Sequence, residues 1–591
     1  MTRTIVFAWL LIASMTAWSQ EAPAPKWVAK QQKAIVAIIT YDKNNELLHE
    51  GTGAVISADG IVIADYALFK GACRAICVDQ GGTQYNVERI LGADESYNAI
   101  RFKVNAKKLA TVPIATSTAG QPGTATYALG FTKAKVTICP AALIEKKDLV
   151  KESTVGGEDP DAPAYAYYTL NRAFPEQQTG QLLFDNEGKL LGIILSPIGN
   201  KSYAIDANFA RNLSIKAIQT KSASLALSNV NIRRGLPETM EEALVYIYFQ
   251  SRTANNDDYL DMLNLFIDTY PQNAEGYERR ATPLTDLHRF DEADKDLQTY
   301  LRLAADKAQA AANVAQAIYT KLVYQPEPAY EKWNYDTAIG YIDQAIGTAS
   351  QAVATAASDS ARTVADALLL QYRLQKAQML MGKKDERGAL LIYDEVNAGP
   401  HRSAATFYAA SMAHEAAGDS LDVCIALMDS AVACFTDPLP QEAANYIMRR
   451  GQLYNAAGQY RKAAADYDQY CYLYNNRVSA SFYYDRSQIE LKARLYQQAL
   501  EDIDRAIKLQ PQEPLYYVEK SAMQLRFNMI DECIASAEQC LRLDGNMPDA
   551  YRIMGYALLQ KGEKDKARYN LEKAIELGDE TAKTIIETYL K

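Results

Sequence analysis

The C-terminal part of the chain repeats with a period of 34 to 36 residues, and this period restricts the fold more than any other feature of the sequence. Large residues recur at Ile447, Tyr483, Tyr517 and Tyr551, with spacings of 36, 34 and 34. Mostly small residues follow each of them after four, sixteen and twenty-three positions: Gly451, Ser487, Ser521 and Gly555, then Ala463, Ala499, Cys533 and Ala567, then Tyr470, Ala506, Cys540 and Ala574. Two antiparallel helices need this pattern, because small side chains let the helices approach and the large one fills the remaining space.

The period and the pattern resemble the tetratricopeptide repeat (TPR). An earlier copy fits Tyr277, Ala281, Ala293 and Tyr300. Between about 305 and 440 we expect longer helices, with 333–346 as a second helix and 407–418 as a first helix. We predict an all-α TPR solenoid over 238–591, closed by a polar helix from Asp579 to Lys591. The alternative is a set of unrelated amphipathic helices.

The sequence before residue 216 has a different character. Short β-branched runs broken by Gly, Asp and Asn occur at 34–40, 53–57, 60–64 and 190–195. Strands at this spacing, separated by turn residues, are typical of an all-β sandwich or barrel. We therefore predict a β domain over 27–215 and a linker over 216–237. The chain is expected to be a multidomain protein.

Three segments of this β domain resemble trypsin-like serine proteases of the HtrA/Deg type. Residues 51–72 resemble the segment around the catalytic histidine, and Ala67 stands in the histidine position. Residues 92–104 resemble the aspartate segment, with Asn98 in the aspartate position. Residues 177–193 resemble the nucleophile segment, with Thr179 in the serine position, or Gln178 if the alignment slips by one residue. The resemblance implies a trypsin-like double barrel, with Leu129-Gly130 on the substrate side.

The catalytic chemistry of that family does not follow from these residues. Serine attack needs a base that accepts the hydroxyl proton and an acid that orients the base. Alanine accepts no proton, and the only histidine before residue 220 is His49, outside the histidine loop. Gln181 replaces the second glycine of the nucleophile loop. We predict a catalytically inactive domain whose cleft still accepts an extended peptide by strand addition; a serine-type endopeptidase with an unorthodox site is the alternative.

Residues 1–19 are typical of a secretory signal. Arg3 precedes an apolar core of about nine residues, and Ala17 and Ser19 precede a cleavage site before Gln20. An uncleaved anchor is the alternative. We expect an exported protein that is periplasmic, or secreted or associated with the outer surface, without a transmembrane segment in the mature chain. Most of the eight cysteines are expected to be buried thiols; a bridge from Cys73 to Cys77 or Cys139 is the alternative.

The composition restricts the classes of partner that we expect for this protein. The net charge of −10 disfavours nucleic acid, and no nucleotide, metal or other cofactor motif is present in the sequence. A stacked helical array presents an extended groove that suits protein or peptide partners. We therefore predict an interaction scaffold or adaptor in an envelope or extracellular assembly; carbohydrate binding stays open as a third function. The predicted groove residues are Asn445, Met448, Gln452, Asn455, Tyr484, Gln488, Lys492, Arg526, Arg552 and Tyr556.

Overall fold

The structure is a computed structural model that describes residues 24–116, 118–132, 135–149, 165–175 and 180–590. The predicted signal over 1–19 and the serine position, Thr179 or Gln178, lie outside the described residues. The chain divides into two compact units, Met1–Ala305 and Asp306–Lys591.

The first unit contains two closed six-stranded antiparallel barrels, preceded by a short helix α1 (Val28–Gln31). The first barrel has the strand order β1-β2-β3-β6-β5-β4 and the second has β10-β11-β12-β9-β8-β7. Counted from its own first strand, each barrel has the same circular order, so the second repeats the topology of the first. The strands are β1 (Ile35–Tyr41), β2 (Leu47–Val55), β3 (Ile61–Asp65), β4 (Arg74–Val78), β5 (Gln84–Asp94), β6 (Ala99–Val104), β7 (Ala125–Thr132), β8 (Lys135–Asp148), β9 (Ala166–Leu170), β10 (Leu182–Asp185), β11 (Leu190–Ile194) and β12 (Tyr203–Asp206). This double barrel confirms the predicted fold of the N-terminal region.

The two barrels pack directly against each other. Strand β11 is buried along its whole length, which explains why its sequence is a continuous apolar run rather than an alternating one. A polar link crosses between the barrels, because the Phe131 amide donates to the Thr52 hydroxyl at 2.8 Å and both residues are buried. Leu129, Leu182 and Phe102 belong to one hydrophobic core that both barrels share. Residues at the ends of β3 and at the start of β10 are therefore held in fixed positions.

The predicted linker, 216–237, carries secondary structure and is hydrogen-bonded to the first barrel. It follows helix α2 (Ala207–Asn212) and contains helix α3 (Lys221–Ser228). The Ser222 hydroxyl donates to Asp94 at 2.9 Å, and the amide of Ile90 on β5 donates to the Arg233 carbonyl at 2.8 Å. This stretch extends the β domain rather than separating it from the helices.

Four helices complete the first unit: α4 (Met240–Gln250), α5 (Asn256–Thr269), α6 (Ala274–Asp286) and α7 (Phe290–Leu303). Tyr246 of α4 and Met262 of α5 are buried in the core of the barrels. Asp261 of α5 accepts two hydrogen bonds from Arg89 of β5, at 2.6 and 3.1 Å. The pair α6 and α7 is the early repeat predicted around Tyr277.

The second unit is helical throughout its described secondary structure. Its three longest helices lie between 307 and 383, where the repeat period drifts. Four hairpins of 13- and 14-residue helices follow from 444, as the period predicts. The helices are α8 (Lys307–Tyr324), α9 (Tyr335–Thr355), α10 (Asp359–Lys383), α11 (Glu386–Ala398), α12 (Ala404–Ala416), α13 (Leu421–Val432), α14 (Ala444–Ala456), α15 (Tyr460–Leu473), α16 (Ala480–Lys492), α17 (Tyr496–Leu509), α18 (Pro514–Arg526), α19 (Ile530–Leu543), α20 (Pro548–Lys561), α21 (Lys564–Glu576) and the closing helix α22 (Glu580–Tyr589). The hairpins and the closing helix confirm the all-α solenoid prediction.

Small residues have the packing role that the sequence pattern predicts. A Cβ added to Gly451 would lie 3.0 Å from the Tyr467 ring, and one added to Gly555 would lie 2.8 Å from Leu571. Cys533 and Cys540 are fully buried between helices. The structure describes all eight cysteines as free thiols, five of them buried.

Buried ion pairs join the two helices of several hairpins, a feature that the sequence analysis misses. Arg450 on α14 forms a bidentate pair with Asp466 on α15, at 2.9 and 2.7 Å. Sixteen residues also separate two further pairs, Arg280–Asp296 and Arg486–Asp502. Each pair links equivalent positions on the first and second helices of its hairpin, and the acidic member of every pair is buried.

Candidate functional site

Ala67 and Asn98, which the resemblance assigns to the histidine and aspartate positions, come together at the end of β3. This strand runs into a single 3₁₀ turn, Tyr66–Phe69, whose first amides need acceptors. The Ala67 amide donates to Asp65 Oδ1 at 2.7 Å and to Asn98 Oδ1 at 2.9 Å. The Ala67 side chain is exposed. The two predicted positions are therefore neighbours, and their side chains are a methyl group and a carboxamide.

Asp65 brings the second barrel to the same point. Its carboxyl lies against Gly180, where an added Cβ would be 3.2 Å from Asp65 Oδ2. Gly180 has φ +80°, a left-handed conformation that favours glycine, and its amide donates to the Ile194 carbonyl at 2.8 Å. Burial raises the pKa of Asp65 to about 6, against weaker opposing effects of the Ala67 and Asn98 hydrogen bonds. Asp65 is thus a buried titratable group at the junction of the barrels.

Gln181 occupies the space beside the substrate-side glycine. Its Nε2 donates to the Thr137 hydroxyl at 3.3 Å, and a Cβ added to Gly130 would lie 2.6 Å from that nitrogen. Gln181 is itself buried, and its Oε1 has no hydrogen-bond partner in the described part of the chain. A long side chain therefore fills a space that a glycine at this position would leave open.

The helical array brings three predicted groove residues together. Asn445, Met448 and Gln452 on α14 line one cavity of about 490 Å³. The wall of this cavity also includes Tyr408, Arg449 and Tyr470, which the repeat pattern does not place there. Arg449 forms an ion pair with Glu415 on α12. Tyr470 stands at a position that is small in the other three C-terminal repeats, and this departure is the signal that sequence reasoning could have used.

The other predicted groove residues lie farther along the array. The ring of Tyr484 lies 5.5 Å from that of Tyr516 on the next first helix, and Gln488 donates to Glu519 at 3.3 Å. Three more are Asn455, which is half-buried, and Lys492 and Arg526, which are exposed. These residues form a second group that the structure does not place in the cavity of Asn445.

Arg552 and Tyr556 contact the end of the array instead. Arg552 pairs with Asp549 and with Asp579, the residue that caps α22. Tyr556 packs edge-on against Tyr589 of α22 at 6.1 Å. Both side chains therefore hold the closing helix, which occupies part of their surface.

The strand order and the helical hairpins together decide the fold. The chain forms two closed six-stranded antiparallel barrels followed by an array of antiparallel helical hairpins. No family model matches the sequence.

Comparison with known proteins gives matches to each part. The small glutamine-rich tetratricopeptide repeat-containing protein 2 of Mycosarcoma maydis is 29% identical over 87 residues, which is 15% of this chain. The match spans a quarter of the length of that relative. Among solved structures, the active form of a protease from M. tuberculosis is 20% identical, with 36% of this chain and 88% of that chain covered and a TM-score of 0.27. The serine endoprotease from Yersinia pestis is 17% identical over 31% of this chain and 62% of that chain, with a TM-score of 0.25.

No helix in the described residues combines the length and the apolar composition that a membrane crossing requires. The surface of the TPR-type array that carries Asn445 and Met448 is polar and aromatic. Such a mixture suits hydrogen bonding to a peptide backbone together with the packing of apolar side chains.

Proposed function

We propose that this protein is an exported interaction scaffold whose trypsin-like double barrel does not hydrolyse peptides and whose TPR-type array binds protein segments. One observation carries the proposal: the amide of Ala67 is bonded to Asn98, so the histidine and aspartate positions are adjacent and neither residue supplies an imidazole or a carboxylate. A hydroxyl nucleophile without a base at this point is not activated.

The proposal predicts that the purified mature protein neither cleaves casein nor reacts with a fluorophosphonate probe. The matched control is the variant Thr179→Ala, which removes the hydroxyl in the serine position. Labelling of the natural protein that disappears in this variant would contradict the proposal.

A serine-type endopeptidase with an unorthodox site is the second candidate, and Asp65 favours it. Asp65 lies beside Gly180, the residue after the serine position, and its pKa of about 6 is suitable for general base catalysis near neutral pH. Activity that depends on Asp65 would be lost in Asp65→Asn, whose amide does not accept a proton. Casein cleavage by the natural protein, absent in this variant, would establish the second candidate.

Binding at the array is tested at the cavity of Met448. Met448→Glu places a charge in the cavity, whereas Gln498→Glu adds the same charge at an exposed position of α17. We expect proteins captured from the native envelope by the natural chain and by Gln498→Glu to be lost with Met448→Glu. Equal capture by all three would contradict binding at this cavity.

Export is a separate part of the proposal. It predicts that the mature protein in the envelope or secreted fraction begins at Gln20, which mass spectrometry of its N-terminal peptide measures. A full-length N-terminus in the cytoplasmic fraction would contradict it.

A further inference from the structure

Consecutive hairpins of the array are joined by ion pairs in which a basic side chain on the first helix of one hairpin bonds to an acidic side chain on the hairpin before it. Arg450 on α14 bonds to Asp429 on α13 at 2.9 Å. Two further junctions repeat this contact: Arg486 bonds to Asp468 at 3.1 Å, and Lys520 bonds to Asp504 at 2.6 Å. In each case the cation stands three residues after the large residue of its repeat, and the acid lies on the second helix of the preceding hairpin.

The last junction, between α19 and α20, lacks a cation at this position, and its ion pair is formed instead by Lys561, at the end of α20, with Asp531 on α19. Met554 stands where Arg450, Arg486 and Lys520 stand, and Asn570 replaces the partner aspartate of the same hairpin. Glu538 is in the position of Asp468 and Asp504, and in the described part of the chain it forms no ion pair. The acid of this junction is therefore present without the cation.

A cavity of about 630 Å³ opens at this junction. Ile534, Met554 and Leu558 form its apolar part, and Met554 and Leu558 are buried. Glu538 and Asn570 also line it. We call this cavity the open junction; it is lined by residues equivalent to those around Arg486 in the second of the four hairpins.

The charges around the open junction favour a cationic occupant. Its two lysines are already paired, since Lys561 bonds to Asp531 at 2.8 Å and Lys566 to Glu563 at 2.7 Å. The carboxylate of Glu538 keeps its full capacity to accept hydrogen bonds. Asp565 also lines the cavity and likewise forms no ion pair in the described residues. An apolar surface beside two unpaired carboxylates matches a side chain that has a long aliphatic stem and a charged head.

We propose that the open junction binds an arginine side chain of a partner protein. The stem packs on Met554 and Leu558, and the guanidinium donates to Glu538 and to the Asn570 side-chain oxygen, as Arg486 does with carboxylates of its own chain. Arginine fits better than lysine because its planar fork serves two acceptors at once. The inference rests on the proposed function in that the array binds protein segments.

The test uses the full mature protein with ¹³C-methyl methionine and the acetylated, amidated peptide Ser-Gly-Arg-Gly-Ser as probe. The Met554 methyl signal, assigned with Met554→Leu, is followed by NMR during titration. We expect a saturable shift with this peptide and at least tenfold weaker binding of the same peptide with citrulline, which keeps the shape and loses the charge. No shift of the Met554 signal, or equal affinity for both peptides, would overturn the proposal.

Two variants locate the binding. Glu538→Gln should weaken binding of the arginine peptide at least tenfold, and Met554→Arg combined with Asn570→Asp should abolish it by restoring the internal ion pairs. The second variant keeps a filled junction, so we expect its melting temperature not to fall. Its binding is followed by isothermal titration calorimetry, because the Met554 signal is absent. Unchanged affinity in either variant would overturn the proposal.

Met448→Glu separates this inference from the proposed function. It should leave the affinity for the arginine peptide unchanged, because Met448 lines a different cavity. If Met448→Glu loses the envelope partners and the natural protein does not bind the arginine peptide, the open-junction inference alone is contradicted. If Met448→Glu keeps the envelope partners and the natural protein binds the arginine peptide, the proposed role of the Met448 cavity alone is contradicted.

Discussion

A single buried carboxyl, Asp65, shows what the junction of the two barrels demands of its residues. It caps the 3₁₀ turn by accepting from the Ala67 amide, yet it is almost entirely buried and lies against Gly180. An uncharged acceptor such as asparagine caps a helical turn about as well as aspartate does. The charge is therefore not needed for the turn, and its burial costs stability at neutral pH.

Asp65→Asn is expected to stabilise the protein in a pH-dependent way. The pKa of Asp65 in the folded state, about 6, lies above its unfolded value of 3.8. Stability associated with its proton is complete below 3.8 and is lost as pH rises through about 6. The variant has no such loss, so it should gain about 3 kcal/mol over the natural protein at pH 8 and little at pH 4. Urea unfolding monitored by tryptophan and tyrosine fluorescence at both pH values measures the difference.

Asp59→Asn provides the matched control. Hydrogen bonds from Lys103 and Ser57 lower the pKa of Asp59, which is exposed in the turn between β2 and β3. Its contribution to stability is present above its unfolded pKa and lost as pH falls, the opposite of Asp65. Asp59→Asn should therefore be neutral or slightly destabilising at pH 8. A loss of stability in Asp65→Asn at pH 8 would contradict the assignment of Asp65 as an electrostatic cost.

At the scale of the helical hairpin, the sequence predicts the backbone better than the ion pairs. Gly451 and Gly555 stand where the two helices of a hairpin approach closely. This steric requirement leaves a regular spacing of small residues, so it can be recognised from the sequence alone. Arg486 and Asp502 are charged residues that normally face solvent, so their pattern alone does not indicate burial. The recurrent spacing of sixteen residues was present in the sequence, but only the packed hairpin shows that it joins two helices.

The residues of the candidate site, like those of the hairpins, were predictable from the sequence only in part. Resemblance singled out Ala67 and Asn98, which the structure brings into hydrogen-bond contact, because the segments that carry them keep a recognisable pattern. It did not indicate Asp65, whose role depends on contact with the second barrel. In the array, Asn445, Met448 and Gln452 line one cavity. Arg552 and Tyr556 contact the closing helix instead, a tertiary contact that periodicity does not indicate.

Two aspartates on α17 allow the hairpin ion pair to be tested. Asp502 is buried and bonded to Arg486, whereas Asp504 is about half exposed and bonded to Lys520. Asp502→Ala removes the carboxylate that neutralises the buried guanidinium of Arg486. We therefore expect a loss of about 3–5 kcal/mol in local stability. Asp504→Ala should cost less than about 1 kcal/mol. Hydrogen exchange of peptides from α16 and α17 measures both, and equal protection in the two variants would contradict the distinction.

At the scale of the whole chain, the boundary of the first compact unit lies well after the end of the β domain. The barrels, α3 and helices α4–α7 belong to one compact unit that ends at Ala305. Tyr246 and Met262 fill part of the barrel core, and Asp261 neutralises Arg89, whose side chain is only 14% exposed. Helices α4 and α5 therefore complete the interior of the barrels.

A comparison of two fragments tests this boundary. A fragment of residues 20–305 keeps Tyr246, Met262 and Asp261, whereas a fragment of 20–237 removes all three and leaves Arg89 without its carboxylate. Arg89 and Asp261 are half-buried, so loss of the carboxylate costs stability, and the uncovered apolar surface adds to this cost. We expect the longer fragment to unfold cooperatively and the shorter one to melt at a clearly lower temperature or to aggregate. Asp261→Ala in the longer fragment should lower its melting temperature in the same direction, while Arg233→Ala, at an exposed arginine that also contacts Asp261, should change it little. Equal melting temperatures for the two fragments would show that the barrels fold without these helices.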